Sequence, residues 1–499
     1  MNLLEIAKDR IKEQKYIEAL NILKELSKKD NGNDVVFEIA KTYFFLKNFE
    51  KAQGLFNKLL NSNFSLHSSL FLAKIEIYNN NLNKALEILL KEKHYNNTEL
   101  LLEIAHIYEL LEDKNNMLQI YEKILDIEPN NIDVKFKLFT IYQSTQNTQK
   151  ALITAKSLLN DKSLNLRRKN SILNYIEYIT KQSVLKSVPQ ILFVSLTSKC
   201  NLNCVMCDSK TFNYKLTKKA EKEIINLLPK IQDITWCGGE PLLYDNIENL
   251  FDLAYKNSVN QVIITNGLLL NDNIINKLIK YNIITHISID APNKELYEKI
   301  RKGSNFDILI NNLLILQNKI KNIKFDLHLN CIVMKENYKH LEDMIFFASK
   351  FGFTKIFFLA LNSRENYDEI IEYLKKKIPT YYNLAKKYNI TIESSLFDFL
   401  TTKKDKRVDN STLNNLYCKL PWIGFYITYS GMVKFSCICD IFESNSLLKG
   451  NTILDIWNNE KIVKIREQII NNKNKNLCEN CINGLYSWEY RSYYKKNIR

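Results

Sequence analysis

No stretch of this 499-residue chain approaches the ~18 uninterrupted apolar residues of a membrane helix. Its opening, MNLLEIAKDRIKEQKYIEAL, has charges where a secretory signal needs an apolar run. The expectation is therefore a cytoplasmic protein without a membrane span. Cysteine is missing from the first third: all ten fall after Leu196, eight of them in or near two tight groups. In a reducing compartment such clustering favours metal binding over disulfides. Histidine is sparse and scattered. His67, His94, His106, His286, His328 and His340 all lie away from the first cysteine group, and each reads as an ordinary packed or surface residue. There is also no arginine-rich stripe and no basic-aromatic patch. Lys and Arg exceed Asp and Glu by 70 − 55 = 15, but as single lysines among asparagines, so nucleic acid is not an expected partner. What remains is globular in composition, 45% hydrophobic and 25% charged. At roughly 150 residues per domain the length suggests about three domains.

The first of these repeats itself. EALNILKEL, KAQGLFNKLL, KALEILLKE, NMLQIYEKIL and KALITAKSLL align so that Ala19, Ala52, Ala85, Met117 and Ala151 recur at intervals of 33, 33, 32 and 34. Twelve residues before the last four lie Ala40, Ala73, Ala105 and Phe139. Slim residues at a period near 34, with a Pro-containing turn in LDIEPNN, resemble the tetratricopeptide repeat. The Trp-Gly signature and most turn prolines are absent, so the repeats are degenerate. An all-α solenoid is expected over residues 1–180, and such a scaffold implies a protein or peptide partner.

From about Gln190 the pattern changes. β-Branched runs beginning at Ile191, Ile234, Gln261, Thr285, Lys324 and Lys355 alternate with amphipathic helical segments. This argues an α/β parallel sheet or barrel over 189–400, with functional loops at the carboxyl ends of its strands. A polar stretch, 401–416, reads as a linker. Residues 417–499, with a hairpin signal in FYITYSGMVKFSC, form a third, small α+β segment.

Directly after the first strand, SKCNLNCVMCD places Cys200, Cys204 and Cys207 in a C-x3-C-x2-C pattern. Three thiolates are one too few for a closed tetrahedral site, so either a fourth ligand lies elsewhere, as zinc would require, or a coordination position is open. Thiolates alone suit iron–sulfur ligation, since a cubane held by three cysteines keeps one iron free.

This loop, with the following ITWCGGEPLLYDN, resembles the radical S-adenosylmethionine (SAM) superfamily. The resemblance implies a partial (β/α)6 barrel of TIM type and a [4Fe-4S] cluster on the three cysteines, whose open iron chelates SAM. It carries Gly238, Gly239 and Glu240 over to the SAM amino group, and Asn266, Ser288 and Arg301 to its ribose and carboxylate ends. Met206 stands where the family often has an aromatic residue against the adenine; a polarizable thioether can fill that role. The implied activity is reductive cleavage of SAM to a 5'-deoxyadenosyl radical that takes hydrogen from a substrate, an oxidoreductase or modifying reaction. No general base is assigned.

The C-terminal segment is similar to the SPASM or twitch extension of that superfamily, with Trp422, Gly431, Gly450-Asn451 and Trp457 as landmarks. Cys418, Cys437, Cys478 and Cys481 suffice for one auxiliary [4Fe-4S] cluster; a zinc ribbon is the alternative. Cys439 is an extra, and Cys237 and Cys331 read as small buried hydrophobes. The expected substrate is a peptide, protein or carbohydrate-type molecule, and the expected electron donor a small flavodoxin- or ferredoxin-type protein. The competing reading is a repeat protein with structural zinc or electron-transfer sites and no radical chemistry.

Overall fold

The computed structural model describes residues 3–92, 96–207, 214–360, 368–401, 418–435, 442–444 and 450–471. The chain divides into two compact units, Met1–Leu158 and Leu159–Arg499.

The first unit is all helical among its described residues. Its helices pair in sequence order: Leu3–Lys12 with Tyr16–Ser27, Asn33–Phe45 with Phe49–Lys58, Ser65–Tyr78 with Leu82–Leu90, Thr98–Leu110 with Lys114–Ile127, and Ile132–Ser144 with Thr148–Leu159. Within each pair the chain turns on one left-handed residue: Gln14, Lys47, Asn80, Glu112 and Gln146, with φ of 58 to 61°. The N–H of the next residue then returns to a carbonyl five positions earlier, as Lys15 does to Arg10 and Asn81 to Glu76, which stops the helix. Ala19, Ala52, Ala85 and Ala151 are fully buried, as are Ala40, Ala105 and Phe139. The slim residues thus lie inside the helix packing, where alanine lets backbones approach closely. Met117, too long for such a contact, is half-buried at the equivalent position.

Among its described residues, the second unit is built on one ten-stranded sheet. Its strands are β1 (Ile191–Ser195), β2 (Asp233–Cys237), β3 (Asn260–Thr265), β4 (Ile284–Ser288), β5 (Leu327–Val333), β6 (Lys355–Ala360), β7 (Thr391–Glu393), β8 (Gly424–Ile427), β9 (Val433–Lys434) and β10 (Glu443–Ser444). The spatial order is β10-β9-β8-β1-β2-β3-β4-β5-β6-β7. The first seven strands are mutually parallel, each joined to the next by a crossover that contains helix. The six strands expected from sequence are β1–β6. The C-terminal segment is continuous with them: β8 adds in parallel to β1, and β9 and β10 follow antiparallel. Gly424 is required there, because a Cβ would lie 2.4 Å from the Ile191 carbonyl oxygen.

One face of the sheet meets helices. Phe358 packs on Phe397, Ile287 and Leu309 both approach Gly267, and the Trp236 indole donates to Gln261, whose amide donates to the Phe251 carbonyl. Alternation turns Ser288, Asn330 and Phe357 to the other face.

The helix Leu166–Ile179 also belongs to this unit. Its polar residues Arg167, Asn170, Asn174 and Glu177 recur every three or four positions and point inward. Arg167 donates to the Ile231 and Asn257 carbonyls, Asn170 exchanges hydrogen bonds with Val188, and Glu177 accepts from the Lys186 and Ser187 N–H groups. Asn170 and Glu177 thereby satisfy the backbone of the segment entering β1, and Arg167 the carbonyls before β2 and after the helix Ile247–Lys256.

Candidate metal centre

Four successive loops at the carboxyl ends of β1–β4 build the site, the place where open parallel sheets hold ligands. The loop after β1, Leu196–Cys207, carries the three cysteines. The turn after β2 packs directly on it: the Gly239 N–H donates to the Thr197 carbonyl at 2.7 Å, and the Glu240 N–H to the Lys199 carbonyl at 2.9 Å. Both glycines are needed for this approach. A Cβ on Gly238, where φ is +121°, would sit 2.6 Å from the Thr197 oxygen, and one on Gly239 would sit 2.4 Å from the Lys199 oxygen. On its other side the cysteine loop is tied to the chain after the helix Lys294–Ile300, through Asn203 N–H to Lys302 O at 2.7 Å and Val205 N–H to Ile300 O at 2.9 Å.

The predicted residues gather here in unequal roles. Glu240 is completely buried, and its carboxylate accepts three hydrogen bonds within the protein. It accepts from Thr265 Oγ1 and the Asn266 N–H, each at 2.8 Å, and from the Leu242 N–H at 3.1 Å. Burial pushes its pKa up, against those hydrogen bonds. Glu240 therefore ties the end of β2 to the end of β3. Asn266 is buried and donates through Nδ2 to Asn201 Oδ1 at 2.7 Å, with Cys200 Sγ 4.0 Å from the same nitrogen. Met206 is half-buried against the core, and Ser288 is half-buried opposite Asn330.

Arg301 follows the helix Lys294–Ile300 and is 6% exposed. Its Nη2 lies 2.6 Å from Asp290 Oδ2 and its Nη1 4.0 Å from Cys204 Sγ. Its Nε has no hydrogen-bond partner among the described residues. Asp290, fully buried, is fixed by the Ile332 N–H on Oδ1 at 2.8 Å and by Asn337 Nδ2 on its carbonyl at 2.9 Å.

Cys200 and Cys204 are half-buried and Cys207 is exposed. Burial pushes the first two thiols up, Cys204 to about 11 in spite of Arg301. The three sulfurs are near enough to act electrostatically on one another. Among the described residues, however, no three His, Cys, Asp or Glu side chains converge on a single ion. A donor set of three thiolates suits a cluster, in which each binds a different iron, better than one tetrahedral zinc, which takes a fourth ligand. The unpartnered, buried Nε of Arg301 leaves a donor for an anionic ligand at the same place. Cys418 is half-buried against the core just before the short helix Leu420–Ile423, while Cys437, Cys439, Cys478 and Cys481 lie outside the described residues.

Sequence reasoning missed Asp290 and Asn201, which have no motif of their own, and a buried histidine pair. His286 and His328 face each other across β4 and β5, with ring nitrogens 3.1 Å apart, and His286 Nδ1 lies 3.0 Å from Asn330 Oδ1. Burial holds both rings neutral, pulling His286 down to about 4.

Comparison with known proteins agrees with this geometry. Residues 194–348 match the radical SAM superfamily and residues 418–482 an iron–sulfur cluster-binding SPASM domain. An uncharacterized protein of Methanocaldococcus jannaschii is 31% identical over 189 residues, 35% of this chain and 63% of that protein. A probable GTP 3',8-cyclase of the same organism is 29% identical, covering 45% of this chain and 70% of the relative. The mycofactocin maturase of Mycolicibacterium smegmatis is 28% identical, covering 33% and 43%. The chain thus spans less than two thirds of the first relative and of the maturase. No helix among the described residues is long and apolar enough to cross a membrane. Three cysteines on the loop after β1, clamped by the glycine turn after β2 and followed by a cysteine-bearing extension of the same sheet, belong to a radical SAM domain joined to a SPASM domain.

Proposed function

We propose that this protein is a cytoplasmic radical SAM enzyme that modifies a peptide or protein-borne substrate. Cys200, Cys204 and Cys207 hold the catalytic [4Fe-4S] cluster, and Cys418, Cys437, Cys478 and Cys481 an auxiliary one. When bound, the cluster and SAM supply a 5'-deoxyadenosyl radical able to take hydrogen from an unactivated carbon. The chain's part is to hold and shield. The Gly238–Gly239 turn fixes the cysteine loop, Glu240 fixes the turn to β3, and Asn266, Ser288, Arg301 and Met206 line the space beside the sulfurs for SAM. The observation that carries the reading is the contact between loop and turn, Gly239 N–H to Thr197 O at 2.7 Å. Pairing of β1 with β2 sets the turn beside the cysteine loop, and the missing side chains of Gly238 and Gly239 let the two backbones touch.

The helical repeats of the first unit support a macromolecular partner, because stacked helical pairs present extended surfaces suited to proteins. A maturase among the relatives agrees with this, whereas the cyclase acts on a nucleotide by its name. A small flavodoxin- or ferredoxin-type protein supplies the electron. Anaerobic reconstitution should give a brown protein with iron and sulfide near four per cluster. Reduction with dithionite in the presence of SAM should release 5'-deoxyadenosine. A colourless protein that takes up zinc and leaves SAM intact would establish the binding-module reading instead.

A further inference from the structure

We propose that Arg301, fixed by Asp290, is a positioning residue of the metal centre: its guanidinium presents N–H groups and positive charge to the Cys204 sulfur and raises the reduction potential of the cluster held there. This rests on the reading of the three cysteines as cluster ligands.

The geometry is built rather than incidental. Arg301 and Asp290 have side-chain exposures of 8% and 0%, with a 2.6 Å contact between them. Asp290 is itself anchored by the Ile332 N–H and by Asn337. A guanidinium desolvated to this degree is retained only where a partner repays the loss of water, and Asp290 is that partner. Asp290 engages only one arm of the guanidinium, at Nη2. Nη1 turns to Cys204, 4.0 Å away.

With Nη2 on Asp290 and Nη1 toward Cys204, the pair acts as a dipole whose positive end faces the ligand. Cys200 has its own donors, the Leu202 N–H at 3.4 Å and Asn266 Nδ2 at 4.0 Å. Reduction by one electron places more negative charge on the ligating sulfurs. Donors and cations aimed at them therefore stabilise the reduced form more than the oxidised one. With Arg301 and Asp290 buried and Cys204 half-buried, the effect is screened by salt much less than that of a surface charge.

The test is the potential of the reconstituted full-length protein without SAM, followed by EPR-monitored titration. The relevant signal is identified by its change when SAM is then added. Arg301→Gln should lower the potential, so that at a fixed poise the reduced-to-oxidised ratio falls about tenfold, or about 59 mV for one electron. Arg301→Lys keeps the charge but loses the planar fork and should fall by less. The control is Lys302→Met, which removes the same unit charge from the exposed neighbouring position. A potential in Arg301→Gln equal to that of wild type or of Lys302→Met overturns the proposal. If Arg301→Gln fails to retain iron, Arg301→Lys decides alone: a drop larger than the control's supports the proposal, and no drop ends it. A wild-type protein that binds zinc and shows no such signal removes the reading of the cysteines, and this proposal with it.

Discussion

Gly54 and Gly239 occupy the two units of the molecule and illustrate how differently those units are held together. Gly54 lies on the exposed side of the helix Phe49–Lys58, and a Cβ built there meets nothing within 4 Å. Gly239 lies between two loops, and a Cβ there would enter the backbone of Ser198 and Lys199 at 2.7 and 2.4 Å. In the helical unit, packing is local and repeated, so one position matters little beyond its own pair of helices. In the sheet unit, segments separated by tens of residues meet backbone to backbone, and a single methyl group has nowhere to go.

The largest expected effect follows directly. Gly239→Ala should destabilise the sheet unit by about 3 kcal/mol or more, since both obstructing atoms are carbonyl oxygens that cannot rotate aside. It should also lower the iron retained after reconstitution, because the cysteine loop is what gives way. All four tryptophans, at 236, 422, 457 and 488, fall in the second unit, so the urea midpoint read by tryptophan fluorescence reports on that unit alone. A midpoint unchanged from wild type would mean that the two loops do not meet.

Acid should separate the units next. His286 is held neutral, down to about 4 against about 6.5 in an unfolded chain. Between those values the unfolded state binds the proton that the folded state refuses, so stability falls as pH drops from about 6.5 to about 4. At about 1.4 kcal/mol per tenfold change in protonation, the loss is roughly 3 kcal/mol. Glu76 in the helical unit behaves otherwise. Burial pushes it up, but Lys84, Asn81 and Gln53 outweigh burial and hold it below the usual range, so its contribution is lost only below about 4.5. Tryptophan fluorescence at pH 5 should therefore report a weakened sheet unit while far-UV circular dichroism still shows the helical unit intact. In His286→Gln the slope from pH 7 to 5 should shrink, whatever the variant's stability at neutral pH.

Much of this architecture is legible in the amino-acid order, and what escapes does so for physical reasons. The five left-handed turns fall at the same 33, 33, 32 and 34 spacing as the slim residues, since both follow one helical period. The six β-branched runs and the cysteine trio are equally plain, because strand propensity and metal ligation are written in local composition. The inward stripe of Arg167, Asn170, Asn174 and Glu177 is not. Polar residues at helical spacing look like a solvated face, and only the backbone groups they meet, ahead of β1 for Asn170 and Glu177 and ahead of β2 for Arg167, turn them inward. Glu240 shows the same limit: its motif announces the site, while its carboxylate also accepts from Thr265, Asn266 and Leu242, a set of partners that only the packed strands determine. Asp290 has no motif, and its importance comes from facing Arg301 in the absence of water.

The smallest effect has the opposite sign and tests the other half of the comparison. Gly54 sits mid-helix with ordinary helical backbone, where glycine loses more conformational freedom on folding than alanine does. Gly54→Ala should therefore stabilise the helical unit by about 0.5–1 kcal/mol. The gain is to be read as a rise in the far-UV circular dichroism midpoint, with no movement of the tryptophan signal. A loss of stability would mean that the exposed side of this helix is covered after all. A shift in the tryptophan midpoint would mean that the two units unfold as one, and Gly54 and Gly239 would then no longer report on separate bodies.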